Sequence, residues 1–266
     1  MKITAFLKKD FYITISYKFR VFLQFGDMIF SLVMFYFLGK TFSGAISPYI
    51  TQYGGDYFSY ALVGIAVTSF VTVGLDALAG EVRAAQVEGT LEALLSTPTS
   101  IYTILIGNSL WTFIEAFIST ALMIAFGVIF LELNISIIQI LAGLFILGLT
   151  LVAFLAVGML SASFIMIFKQ GNPIGILFGS SSYFLGGVAF PVEVLPMPFQ
   201  YVANFLPITH AVKALRELLL AQKDFYSIQS MLINLIIFIV IVSPISIIFF
   251  RYAVNRAKKD GSLIQY

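Results

Sequence analysis

Apolar residues fall in long blocks along this chain, separated by short polar or proline-rich stretches. A helix crossing a bilayer needs about 20 mostly apolar residues, each adding about 1.5 Å across a hydrocarbon core of about 30 Å. Six blocks qualify: 21–42, 58–80, 102–131, 135–168, 173–190 and 231–250. Asp27 interrupts the first, Asp76 falls near the end of the second, and Glu115 sits inside the third. The fourth is long enough to tilt, and the fifth is the shortest at 18 residues. The first block starts some twenty residues in, lacks a small-residue cleavage site and is followed by Lys40, so it is expected to be a retained span rather than a signal peptide. The predicted fold class is all-α: a polytopic membrane protein with six transmembrane helices over 21–250. An amphipathic interface helix over 1–20 precedes them, and an outer re-entrant segment lies between spans five and six.

Composition sharpens the solvent. The 266 residues are 60% apolar and 11% charged, with a mean hydropathy of +1.00, against roughly 45–50% and about 25% in soluble domains. A soluble enzyme, a disordered chain and a nucleic-acid binder are excluded. The net charge of +2 is too small to argue for a polyanion, so placement carries the information. The absence of cysteine excludes disulfides and thiolate sites. With a cytoplasmic N-terminus, 11 of the 15 Lys and Arg fall on the cytoplasmic side and 4 outside, namely Lys40, Lys213, Arg216 and Lys223. An even number of spans returns the C-terminus to the cytoplasm, where Arg256, Lys258 and Lys259 mark a basic tail over 251–266. A multi-pass protein of the cell membrane with both termini cytoplasmic is expected.

Three pieces lie outside the spans. Before the first, Ile3, Phe6, Leu7 and Phe11 share a helical face opposite Lys2, Lys9, Ser16 and Arg20, although Asp10 and Lys18 intrude on it. This reads as a helix in the inner membrane surface touching lipid headgroups, or as a basic leader that only sets orientation. In the segment 81–98, Gly89 can end one helix and Thr90 can cap the next, with Glu92 in its first turn. Leu91, Leu94 and Leu95 then share a face, and Pro98 with the run 97–100 stops it. Such a stub either docks into a partner's groove or covers the chain's own core. Between spans five and six, Pro191, Pro196, Pro198 and Pro207 divide an otherwise apolar loop (Phe190, Leu195, Phe205) into short pieces. Short helices dipping into the outer leaflet are expected, then an amphipathic surface helix over 209–222.

Candidate chemistry is sparse. Gly39, Lys40 and Thr41 imitate the end of a phosphate-binding loop, but its first glycine is replaced by Met34, and no strand–loop–helix unit fits there. This chain is therefore expected to bind no ATP in that manner. No metal constellation stands out. His210 reads as a hydrogen-bonded structural residue, and Ser180, Ser181 and Ser182 lack a hydrolase motif. Intramembrane acids such as Glu115 and Asp27 are costly in lipid and normally face a bundle interior or a cavity; of these, Asp27, like Asp76, reads as interfacial. Glu115 is either a substrate or proton contact or a hydrogen bond to a neighbouring helix, through Asn108.

Two stretches resemble the membrane subunits of type-2 ABC transporters, mostly exporters. E-G-T-L-E-A-L-L-S-T-P at 88–98, with Arg83 upstream, is similar to that family's coupling segment. G-G-V-A-F-P-V-E-V-L-P-M-P-F-Q at 186–200, continuing as L-P-I-T-H-A-V-K-A-L-R at 206–216, resembles its outer re-entrant region, with Leu206 in place of an expected Asn. The resemblance implies an ATP-driven permease without its own ATP-binding motif. Two ATP-binding subunits would bring ATP and Mg, and a second permease copy or a relative would complete a dimer. Their contact would use Arg83, Glu88, Gly89, Thr90, Leu91, Glu92, Leu94 and Leu95. The outer gate over 190–222, with Gly187 just before it, would use Gly187, Phe190, Pro191, Leu195, Pro196, Pro207, His210 and Arg216. The competing expectation is an ion-coupled secondary transporter or channel using Glu115.

Overall fold

The computed structural model describes residues 2–53, 56–97, 99–130, 135–169 and 171–259. Ten α-helices account for most of them: α1 (Lys2–Ser16), α2 (Lys18–Ile50), α3 (Tyr57–Val87), α4 (Leu91–Ser96), α5 (Ile101–Phe130), α6 (Ile137–Phe168), α7 (Pro173–Leu185), α8 (Met197–Phe205), α9 (Pro207–Leu219) and α10 (Gln229–Lys259). The described chain is all-α, as the apolar blocks predict. Local chemistry sets several starts: the Asp56 carboxylate accepts from Ser59 N to open α3, and Ser136 with Gln139 forms a capping box on α6.

α3 and α6 form the centre, with α5, α10 and α9 packed around them. Phe70, Leu75, Ile146, Phe154, Leu215 and Leu235 fill the main core. A second cluster of Val82, Ile101, Leu105, Ala162 and Phe250 closes the end that carries α4. The central pair meets through glycines, which let backbones approach where apolar burial supplies little drive. A Cβ at Gly158 would sit 2.5 Å from Gly74 O, and one at Gly74 would sit 2.9 Å from the Cβ of Phe154.

Five helices are long and apolar enough to span a bilayer: α2, α3, α5, α6 and α10. The fifth expected block, 173–190, forms only the 13 residues of α7, about 20 Å at the usual rise. Length therefore does not support the count of six. The helix ends at Gly186, and Gly187 turns the chain at φ +74°. The helix expected on the surface over 209–222 is also corrected: α9 buries Ile208, Ala211, Val212, Leu215, Arg216 and Leu219 and wedges against α3, α6 and α10. α10 runs on through Arg251, Arg256, Lys258 and Lys259, so the basic end continues the last span as helix. Leu131, Pro98 and the tail beyond Lys259 lie outside the described residues.

Because Gly158 touches backbone while Gly148 has open space around it, the two respond differently to one added methyl. Gly158→Ala should cost about 2 kcal/mol through overpacking, read as a lowered thermal unfolding midpoint in detergent, while Gly148→Ala should leave it unchanged.

Candidate functional site

The end of the bundle opposite α4 is organised by one cation. Arg216, only 3% exposed, projects from α9 between α3 and the bend after α7. Its Nε and Nη2 donate to Tyr60 O at 3.0 and 2.8 Å, Nη1 to Gly187 O at 2.6 Å, and Nη2 also to Val188 O at 2.7 Å. The guanidinium carbon lies 3.3 Å from the Tyr60 ring centroid, and the Tyr60 hydroxyl donates to Gly187 O. Among the described residues no carboxylate comes within ion-pair distance of it. Burial presses its pKa down to about 10, opposed by the neighbouring Tyr60 and Tyr53, so it stays charged at neutral pH. Gly64 makes room: a Cβ there would collide with Val188 O and with Nη2 of Arg216.

The remaining residues expected at the outer gate lie around this clamp. Pro191 is buried and opens a short 3-10 turn at Val192–Val194, while Phe190 and Leu195 are half-buried. Pro196 precedes α8, and Pro207 starts α9. His210 bonds the Asn204 carbonyl at 2.8 Å, as a structural histidine should. Tyr60 and Gly64 join the site without any sequence signal of their own, and Val188 joins it from within the motif at 186–200.

At the other end, α3 stops in a Schellman turn. Gly89 adopts φ +69°, Gly89 N donates to Gln86 O, and Thr90 N donates to Ala85 O. Thr90 precedes α4, but its hydroxyl donates back to Ala85 O and does not cap the helix as expected. Leu91 is buried and Leu95 packs against the cluster around Phe250, so the leucine face serves the chain's own core. Val87, Glu88, Gly89, Thr90, Glu92, Ala93 and Ser96 are exposed on the stub, and Leu94 is half-buried. Arg83 turns inward, donating to Lys169 O at 2.8 Å, and Gln86 donates to Ile165 O at 3.3 Å. Both anchor the stub on the C-terminal end of α6.

Between these ends, α2 and α5 lean on α3 and leave a polar cleft of about 350 Å³, lined by Gln24, Asp27, Ser69, Thr112, Glu115 and Ser119 among others. Glu115 does not bond Asn108, which donates to Glu81 instead. Its Oε1 accepts from Trp111 Nε1 at 2.6 Å and from the Thr14 hydroxyl at 2.9 Å. That pair, with Phe11 edge-on to Trp111 and Phe6 against Gly107, seats α1 on α5.

Residues 3–220 match the model for the ABC-2 type transporter membrane domain. The chain belongs to the ABC-2 type transporter family. Its relatives include Nodulation protein J of Rhizobium leguminosarum bv. trifolii, 27% identical over 169 residues, and of Rhizobium meliloti (strain 1021), 25% identical over 169; each match covers 63% of both chains. The homologue from Rhizobium leguminosarum bv. viciae is 26% identical over 171 residues, covering 64% of this chain and 65% of its own length. The matched region thus spans a little under two thirds of these relatives.

Two predictions follow from this ABC-2 clamp. Arg216→Lys keeps the charge but not the fork that reaches three carbonyls, and should cost on the order of 3 kcal/mol in unfolding stability, read by thermal melting with proteolysis mapping cleavage to 186–194. His210 behaves differently, because burial, helped by Lys213, holds its pKa below the usual 6.5. The unfolded chain binds a proton below that pH which the folded one refuses, so stability falls as pH drops through this window. Replacement by His210→Gln should flatten the difference in melting temperature between neutral and mildly acidic buffer.

Proposed function

We propose that this chain is the permease subunit of an ATP-driven exporter of a hydrophobic or amphipathic substrate. It pairs with a second permease copy or a relative. Two separate ATP-binding subunits dock on the stub formed by the end of α3 and α4. α7, though short, carries the chain from the Lys169 end of the bundle to the Gly187 end and so counts as a crossing. Both termini are then cytoplasmic, which puts the stub in the cytoplasm of the cell and the Arg216 clamp at the outer face. The observation that carries this reading is the stub itself. Its turn is fixed by Gly89 and its base is tied to α6 by Arg83 and Gln86, while Glu88, Glu92 and Val87 point to solvent. A projection braced in this way transmits a push as rigid-body motion. The family match and the bias of Lys and Arg toward the stub's side support it. A second reading, ion-coupled transport through Glu115, draws on the place of that carboxylate in the polar cleft. Transport that survives ATP depletion and collapses with an uncoupler would favour it.

The exposed face is the place to test docking, because Leu95 packs inward. The double variant Val87→Asp with Glu92→Lys should retain a co-expressed ATP-binding subunit about tenfold less well, the scale of one lost interface anchor. Affinity pull-down measures it, with an unchanged melting temperature showing that the fold is intact. Full retention with full transport would sink the docking assignment.

A further inference from the structure

Beside the Arg216 clamp lies a cavity of about 230 Å³, bounded by the turn before α3, the Gly187 bend, α8 and α9. It is large against the ~30 Å³ that one water takes up in the liquid. Its wall is rich in donors. A guanidinium has five N–H groups; the clamp uses four, and the fifth, on Nη1, meets no acceptor among the described residues. Lys213, on the same face of α9 and also in the wall, makes no hydrogen bond or ion pair among them. The Tyr53 hydroxyl and the Asn204 carboxamide line the cavity without a hydrogen-bond partner there, although Tyr53 is only 7% exposed. Burial raises the pKa of the Tyr53 phenol above its ordinary value, so the hydroxyl keeps its proton and can donate it. Acids are outweighed. Glu193 is the one carboxylate among the described lining residues and is exposed, while Glu217, near enough to act on Tyr53, is engaged by Lys223 at 3.5 Å.

Two cations and two neutral donors against one exposed carboxylate select an oxyanion. A cation is repelled by Arg216 and Lys213, and a neutral polyol leaves both charges uncompensated. A phosphate group offers several strong acceptor oxygens to such a donor set. α8 indicates what carries the group. Gln200 and Asn204, four residues apart on one face, line the cavity, while Met197, Tyr201 and Phe205 expose apolar surface on the same helix. We propose that this cavity binds the phosphate headgroup of an amphiphile, held by Arg216, Lys213 and Tyr53, with the apolar part along the exposed side of α8. That the amphiphile comes from the outer leaflet rests on the permease reading above; its binding does not. A phosphate held there ties α9 to the turn before α3, beside the gap that Arg216 itself spans.

The test uses the full chain in a neutral detergent, titrated in a calorimeter with dihexanoyl phosphatidic acid; empty micelles give the background. Dihexanoylglycerol, the same molecule without its phosphate, and inorganic phosphate are titrated separately. Saturable binding of the phospholipid is expected, with none of the neutral lipid and at least tenfold weaker binding of inorganic phosphate. Lys213→Gln should weaken phospholipid binding about tenfold, the scale of one lost charged hydrogen bond. Its melting temperature should not change, because Lys213 holds no other element in place. Glu193→Gln should tighten binding severalfold by removing the opposing charge, a gain that a damaged fold could not produce. Equal binding of the neutral lipid, an unchanged affinity in Lys213→Gln, or inorganic phosphate bound as tightly as the phospholipid overturns the proposal. An ATP-binding subunit that co-purifies with a chain blind to the phospholipid would leave the permease reading standing and remove only this site. Phospholipid binding by a chain that no ATP-binding subunit joins would do the reverse.

Discussion

A buried guanidinium that meets no carboxylate within ion-pair distance among the described residues holds one end of this protein together. Desolvating such a charge costs several kcal/mol. Arg216 offsets that cost with four hydrogen bonds to three backbone carbonyls and with the face of Tyr60. Those carbonyls belong to two separate stretches of the chain. Tyr60 O lies in the first turn of α3, while Gly187 O and Val188 O lie in the bend after α7. Gly187, at φ +74°, ends α7 after 13 residues, and Pro191 has no N–H to return to the Gly187 carbonyl, so the carbonyls of the bend are taken up by Arg216 on α9.

The same helix that receives the clamp carries the stub at its far end. α3 runs unbroken from Tyr57 to Val87, about 45 Å at the usual rise per residue. Midway it is pressed against α6 through Gly74 and Gly158, where no side chain separates the backbones. Near its end Arg83 and Gln86 fasten it to the last carbonyls of α6. With three fastenings along its length, α3 moves with α6 or not at all. α2 lies at the edge of this unit, with Phe22, Ile29, Phe30 and Phe37 exposed, and the polar cleft falls between that edge and α5.

Much of this was legible in the chain. Blocks of apolar residues located the long helices to within a few residues at most ends, and Gly89 marked its turn because only a residue at ease with positive φ fits there. The stub and the cap were recognisable from their motifs. What the sequence hid came from distant partners. Arg216 reads as a cation on a surface helix near the outer gate until α3 and the Gly187 bend close around it. Glu115 reads as a partner for Asn108, one or two turns away, but the real partners include Thr14 on a helix 101 positions upstream. The leucines of the stub have a docking pattern, yet Leu91 and Leu95 are claimed by the core beneath them. Periodicity names a face; it does not say what covers it.

The direct test of α3 as a single lever uses the absence of native cysteine. Spin labels placed by Glu88→Cys at the stub and Glu193→Cys beside the clamp, both exposed, can be measured by pulsed electron resonance in nanodiscs with co-expressed ATP-binding subunits. A rigid α3 predicts an unchanged Glu88–Glu193 distance when those subunits are trapped closed with ATP, while the distance from Glu88 to a label on Ile29 of α2 shifts. A Glu88–Glu193 distance that changes while the Ile29 distance stays fixed would contradict it.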